Sequence, residues 1–273
     1  MKAFGLRLFR FIVLFVVLTG GLLMSFDGAL IYYPTRYPDG NWQTQGRGPC
    51  TPDDVYFTAS DGVKTHGWFL KNPSSDKVLV YYHGNAGSIA DRFEWGCMLT
   101  QVGVSVLMVE YRGYGRSEGK PGEKAFYRDS ESVWSWLTGT AGYSQNQIIL
   151  YGKSLGGAVA TDLATRHEPA ALILQSTFTS IPHMAKKLIP GVPGFLVPTK
   201  MASVEKLPDL GCPVMVVHSQ QDEIVPFEMG RALASQAKNL YRFLEFQGYG
   251  HNDLVAGQGT ELVRAFRELI ETL

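Results

Sequence analysis

The 273-residue chain has few cysteines, and they follow no pattern. Cys50, Cys97 and Cys212 are odd in number, and none stand at Cys-x-x-Cys spacing. That excludes a disulfide framework and a structural zinc site as the basis of the fold, leaving at most one bridge from Cys50 to either of the others. Cys97 and Cys212 sit in apolar runs and read as small hydrophobic side chains. An excess of either charge is also lacking, since 25 Lys and Arg balance 25 Asp and Glu. With no basic run beyond the N-terminus, the footprint of a nucleic-acid partner is missing. A neutral or amphiphilic small molecule fits such a surface better. Charged residues make up 18% of the chain, against a usual share of about 25%. The shortfall is partly local to the very apolar first 33 residues. No internal repeat or low-complexity tract is present.

What is there begins with a long apolar run. Lys2, Arg7 and Arg10 precede Phe11 to Phe26, which carry no charge over 16 residues, and Leu6–Phe9 and Ala29–Tyr33 extend the run. A membrane-spanning helix needs about 20 apolar residues, within a range of about 17–25. Residues 1–33 therefore read as a single-pass signal-anchor, with Tyr32 and Tyr33 at the membrane interface. A cleaved signal peptide and a buried core helix are the competing readings; the run is long for the former, and no clean Ala-x-Ala site follows it. The basic residues lie N-terminal to the run. They keep that end in the cytoplasm and export the rest, to the periplasm if the cell is bacterial, whereas cleavage would give a secreted protein. Residues 34–52, rich in Gly, Pro, Asn and Gln, read as a linker or a loosely packed lead-in to a folded domain over 53–273.

That domain opens with Val55–Ala59 and His66–Lys71 around Ser60-Asp61-Gly62, the pattern of an antiparallel hairpin. Then come short, nearly continuous apolar runs: Val78–Tyr82, Val104–Val109, Ile148–Tyr151, Ala171–Leu174 and Val214–His218. Strands buried on both faces look like this. Helical stretches alternate with them at Ala90–Gln101, Glu123–Leu137 and Leu155–Arg166, and a strand over Tyr241–Phe246 and a helix over Leu254–Leu273 close the chain. The alternation predicts an α/β fold with a mostly parallel sheet, right-handed crossovers and helices on both faces. Residues 177–208 break it with five prolines among apolar residues, too long for a plain connection. They read as a short lid or as a helical excursion that merely covers the sheet.

Chemistry concentrates in Ile148 to Ala160, which runs from a buried strand through Gly152-Lys-Ser154-Leu-Gly156 into a small-residue helix. This is the context of a nucleophile elbow, in which glycines allow a strained strand-to-helix turn and the helix N-terminus lies beneath the reacting serine. A serine hydroxyl needs a base to take its proton, and behind such an elbow the partners follow in the order acid, then His. Of six histidines only His183, His218 and His251 follow Ser154. His183 lies in the lid segment and His218 ends a buried strand, where a satisfied core histidine is expected. His251, in the loop Gly248-Tyr-Gly-His-Asn-Asp253, is the expected base. Asp222, four residues past the strand ending at His218, is the expected acid, with adjacent Glu223 its competitor. The oxyanion donors are the N–H of Leu155 and, from the loop His83-Gly-Asn-Ala-Gly87, that of Asn85, with Ala86 the alternative. His83 is expected to orient that loop by hydrogen bonding. No metal ligands are spaced around it, and neither a metal nor a cofactor is called for.

Taken together, Tyr82-His-Gly-Asn-Ala-Gly87, Tyr111-Arg-Gly-Tyr-Gly-Arg-Ser-Glu-Gly119, Gly152-Lys-Ser-Leu-Gly-Gly157, Ser176-Thr-Phe-Thr-Ser180 and Gly250-His-Asn-Asp253 resemble the α/β-hydrolase superfamily. Within it they look like the membrane-anchored alpha/beta-hydrolase domain-containing serine hydrolases. The resemblance runs from about Val55 to the C-terminus; Lys153 departs from it mildly, standing where relatives often have Arg. It implies catalytic roles for Ser154, Asp222 and His251. It also implies hydrolysis of esters or thioesters of lipid-like molecules through an acyl-enzyme. Related folds include peptidases, so a serine peptidase, an acyltransferase or a non-catalytic binding protein on the same fold stand as alternatives.

Overall fold

The computed structural model describes residue 28, residues 30–188, residue 191 and residues 193–273. Eight strands form one sheet: β1 (Asp53–Thr58), β2 (Lys64–Leu70), β3 (Val78–Tyr82), β4 (Ser105–Val109), β5 (Ile148–Lys153), β6 (Ala171–Gln175), β7 (Val214–Ser219) and β8 (Leu240–Phe246). Their spatial order is β8-β7-β6-β5-β3-β4-β2-β1. β1 and β2 make the expected hairpin, its turn closed by the Gly62 N–H donating to the Ala59 carbonyl at 2.8 Å. β2 lies antiparallel to β4, and from β4 through β8 every pairing is parallel.

The inner strands are buried along their length because both faces are covered. Side chains alternate between two cores. Val78, Val80 and Tyr82 pack with α2 (Glu123–Ser135), α3 (Leu155–Arg166) and α6 (Phe227–Gln236), while Leu79 and Tyr81 pack with α1 (Phe93–Leu99) and α7 (Leu254–Ile270). The helix expected over Ala90–Gln101 is broken into a 3-10 turn, α1 and a second 3-10 turn. Asp91 satisfies the N–H of Ser88 at the start, and Gly103, at φ +95°, ends the run. The stretch Glu123–Leu137 leaves α geometry after Ser135 in a π-helical turn, where the Thr138 hydroxyl donates back to the Trp134 carbonyl at 3.0 Å.

Residues 177–208 form α4 (Ile181–Leu188), a 3-10 turn (Gly194–Leu196) and α5 (Ser203–Lys206). All three cysteine thiols are free. Burial pushes the Cys97 thiol up to about 12 and that of Cys212 to about 11, so both stay protonated and inert near neutral pH.

Residues 33–52 run along the domain surface. Tyr33–Pro34 pairs in parallel with Ala86–Gly87, Trp42 packs edge-on against Trp68, and Arg47 bonds Glu94 at 2.7 and 2.9 Å. Tyr32, expected at a membrane interface, is instead buried edge-on against Phe126. Its ring completes the core beside α2, an outlet invisible in a run read only for hydropathy. No helix among the described residues is long and apolar enough to cross a membrane. The anchor expected over 1–33 falls mostly on positions 1–27, outside the described residues.

Candidate active site

β3 is the point where the strand order reverses: β4 lies on one side of it and β5 on the other. The loops leaving β3 and β5 therefore diverge to opposite faces and leave a crevice at the sheet's C-terminal edge, where open α/β sheets bind ligands. Ser154 sits there with φ 53° and ψ −118°, a strained conformation for a residue with a side chain. Its N–H donates to the Gln175 carbonyl at 2.9 Å, and its own carbonyl accepts from the Gly157 N–H and the Thr177 hydroxyl. Two glycines make the turn feasible. A Cβ on Gly152 would lie 2.3 Å from the Gly156 carbonyl oxygen, and one on Gly156 would lie 2.0 Å from that of Tyr82. α3 begins at Leu155, so its first N–H groups have no partner within the helix and point the positive end of its dipole at the serine.

Asp222 lies in the loop after β7. Its Oδ1 accepts from the N–H groups of Ile224 (3.0 Å) and Val225 (2.7 Å), and its Oδ2 accepts from His251 Nδ1 at 2.8 Å. Burial opposes ionisation of this carboxyl. The hydrogen bonds from His218, His251 and the Val225 N–H outweigh burial and hold it well below the usual carboxylate range. Because Asp222 is an acceptor, the His251 proton resides on Nδ1 and Nε2 is left as the basic nitrogen. Glu223, the competing acid, bonds elsewhere: its Oε2 accepts the backbone N–H of His251 at 2.9 Å. It grips the loop, and Asp222 grips the ring. Lys153 Nζ donates to Asn252 Oδ1 at 3.3 Å, joining the neighbour of the serine to the neighbour of the histidine. Burial, then the cation of Arg92, lower the Lys153 ammonium to about 8.

His218 has a role the sequence reading missed. Fully buried, its Nε2 lies 2.9 Å from the Val225 carbonyl and 3.4 Å from Asp222 Oδ2. Facing two acceptors, Nε2 carries the proton. Nδ1 has no hydrogen-bond partner among the described residues and abuts Gly230, where a Cβ would stand 2.4 Å away. The available signal was the i, i+4 spacing of His218 and Asp222 at the end of a buried strand. His218→Leu is expected to lower kcat/KM about tenfold, the worth of one hydrogen bond to a charged group. It also removes the donor 3.4 Å from Asp222 Oδ2, so the loss should fall on kcat more than on KM. Gln at 218 restores a donor and should return the activity.

The loop after β3 is fixed from below. His83 Nδ1 donates to the Gly84 carbonyl at 2.7 Å, and Nε2 meets buried Glu110 at 2.9 Å. Glu110 also accepts the Ile89 N–H, while the hydroxyls of Tyr111 and Tyr114 donate to the carbonyls of His83 and Asn85, each at 2.7 Å. This network brings Gly84 against Ser154: a Cβ there would lie 3.6 Å from that of the serine. Asn85 lines one cavity together with Ser154 and Leu155, whereas Ala86 is exposed and paired with Tyr33. The cavity is about 350 Å³, and its remaining walls are apolar, among them Phe178, Ile181, Met184, Val197 and Val225. His183 stays outside it, exposed, with Nδ1 2.8 Å from the Thr179 hydroxyl. Among the described residues no group of three or more His, Cys, Asp or Glu is arranged to hold a metal ion.

Comparison with known proteins agrees with this architecture. The alpha/beta hydrolase domain-containing protein WAV2 of Arabidopsis thaliana is 32% identical over 87% of this chain and 85% of its own length. The chain belongs to the α/β-hydrolase superfamily. Another member, the human alpha/beta hydrolase domain-containing protein 17B, is 30% identical over 83% of this chain and 78% of its own. The family model described as serine aminopeptidase, S33, matches residues 73–208. The fold is that of the Pyrococcus furiosus esterase Pf2001, with a TM-score of 0.71 over 89% of this chain and 98% of the esterase at 21% identity. As a superfamily member the chain is a hydrolase.

Proposed function

We propose that this hydrolase cleaves carboxylic esters or thioesters, with Ser154 as nucleophile, His251 as base and Asp222 as its orienting acid. The observation that carries the reading is the 2.8 Å bond from His251 Nδ1 to Asp222, on a loop tied by Asn252 to Lys153, the neighbour of a strained Ser154 that lines an apolar cavity. His251 Nε2 takes the serine proton as Oγ attacks the acyl carbon. The N–H groups of Leu155 and Asn85 receive the developing oxyanion. The imidazolium then protonates the leaving alcohol or thiol, and water, activated by the same imidazole, releases the acid. No cofactor enters.

The cavity supports an apolar acyl group, and its volume lies in the range of small-molecule sites. We expect kcat/KM for p-nitrophenyl esters to rise with acyl length from acetate, by about fourfold per buried methylene until the cavity is filled. A sharp optimum at acetate would sink the lipid-like version. Fluorophosphonate labelling of Ser154 tests the mechanism independently. The aminopeptidase description of the matching family model favours a second reading, a serine peptidase. A free α-amino cation calls for a carboxylate, however, and no acidic residue is among the described residues lining the cavity. Competition between peptides and esters separates the two. The reading also includes a membrane tether through the apolar N-terminal run, with the catalytic domain exported; carbonate extraction and protease protection of the full chain test it.

A further inference from the structure

Single exposed apolar residues are ordinary on protein surfaces; a cluster of them around a binding mouth is not. Among the described residues eight large apolar side chains are exposed, and four of them, Leu30, Tyr33, Leu188 and Ile224, line the cavity that holds Ser154. The most exposed of the eight is Phe195, at 76%. It sits in the turn Gly194–Leu196, which packs against the start of α4: a Cβ on Gly194 would lie 3.2 Å from Pro182 Cβ. α4 itself is two-sided. Ile181, Met184 and Ala185 face the cavity, while Lys186 and Lys187 are exposed next to Leu188. Apolar side chains at the mouth and lysines beside them match the layering of a lipid surface, with acyl chains below and anionic phosphates around.

The chain outside the described residues argues for the same occupant. Its uncharged run Phe11–Phe26 ends four residues before Leu30. Four residues span at most about 14 Å, and the headgroup layer on each side of the hydrocarbon core is about 5–8 Å thick. A bilayer that holds the run therefore holds the cavity mouth at its surface.

We propose that the rim formed by Leu30, Tyr33, Leu188, Phe195 and Ile224, flanked by Lys186 and Lys187, is a docking surface for an anionic lipid bilayer, from which an acyl chain passes to Ser154 without crossing water. The inference rests on the ester-hydrolase reading above and extends it to the source of the substrate.

The test uses the full chain reconstituted in phosphatidylcholine–phosphatidylglycerol vesicles that carry p-nitrophenyl palmitate, with p-nitrophenyl butyrate in detergent as the soluble reference. Phe195→Glu and the double variant Lys186→Glu/Lys187→Glu change residues outside the cavity lining. Each is expected to lower vesicle-borne hydrolysis by roughly tenfold or more, from the lost apolar burial or the reversed headgroup attraction. Both should leave butyrate hydrolysis unchanged. Equal rates on vesicles would overturn the docking surface while leaving the hydrolase intact; absent butyrate hydrolysis by the unmutated chain would instead overturn the hydrolase reading. An environment-sensitive fluorophore at Phe195→Cys, in a Cys50→Ser background, decides the matter even if a charged variant misfolds. Quenching by doxyl-labelled lipid is expected. A blue-shifted emission that doxyl lipid does not quench would show protein covering the rim, whether the N-terminal run or a second copy, and would overturn the proposal.

Discussion

Replacing Ser154 with Ala is expected to lower kcat/KM for ester substrates by about 10⁶-fold, the scale seen when a triad nucleophile is removed. The hydroxyl is the only atom lost, and with it the acyl-enzyme. What remains is the pair of N–H donors at Leu155 and Asn85 and the apolar cavity, which together leave a residual of about 10³–10⁴ over water. Stability should hardly change. Ala inherits the strained φ of 53° and every backbone hydrogen bond of the turn, since the N–H to Gln175 and the carbonyl facing Thr177 are not side-chain groups. A thermal melt within a degree or two of wild type, with no burst of product and no fluorophosphonate labelling, is the expected combination. Residual activity above about 1% of wild type would remove Ser154 from the mechanism.

Features written in local pattern were legible in the sequence. The hairpin needed only Asp61-Gly62 between two β-rich runs. Each inner strand was a short apolar run, because a strand buried on both faces has no polar side to display. The elbow was legible because Gly152 and Gly156 leave room for a backbone crossing that no other residue permits. The order of Ser154, Asp222 and His251 along the chain pointed to loops after β5, β7 and β8.

What escaped lives in long-range contacts. Tyr32 belongs by hydropathy to the N-terminal run, yet its ring is spent on Phe126, 94 positions later. The seat of residues 33–52 depends on Trp42 meeting Trp68 and Arg47 meeting Glu94, which no periodicity announces. His218 and Glu223 lie on either side of Asp222 in sequence, but the folded loops divide their roles: His218 Nε2 reaches Asp222 Oδ2 at 3.4 Å, while Glu223 takes the backbone N–H of His251. The broken helix around α1 was set by one capping carboxylate and one left-handed glycine rather than by its apolar face.

Asp222→Asn is expected to cost about 10⁴-fold in kcat, the scale of a triad whose histidine is held in the wrong tautomer. The surroundings dictate which way the amide turns. Two backbone N–H groups, from Ile224 and Val225, point at the Oδ1 position, so the amide oxygen must take it. The NH₂ group is then forced into the Oδ2 position, where it faces His251 Nδ1 and the Nε2–H of His218. A donor there drives the His251 proton from Nδ1 to Nε2, the nitrogen that should be basic, and it opposes the His218 donor as well. The carboxylate of wild type is held far below its usual range, so it stays ionised across the working pH range and remains an acceptor for both histidines. Glu223→Gln supplies the contrast. Its amide oxygen can still accept the His251 backbone N–H, so the loop keeps its clasp and activity should stay within about threefold of wild type. The reverse outcome, with Asp222→Asn keeping a tenth or more of wild-type kcat and Glu223→Gln losing a thousandfold, would make Glu223 the acid. The ring bond at 2.8 Å would then be a structural contact only.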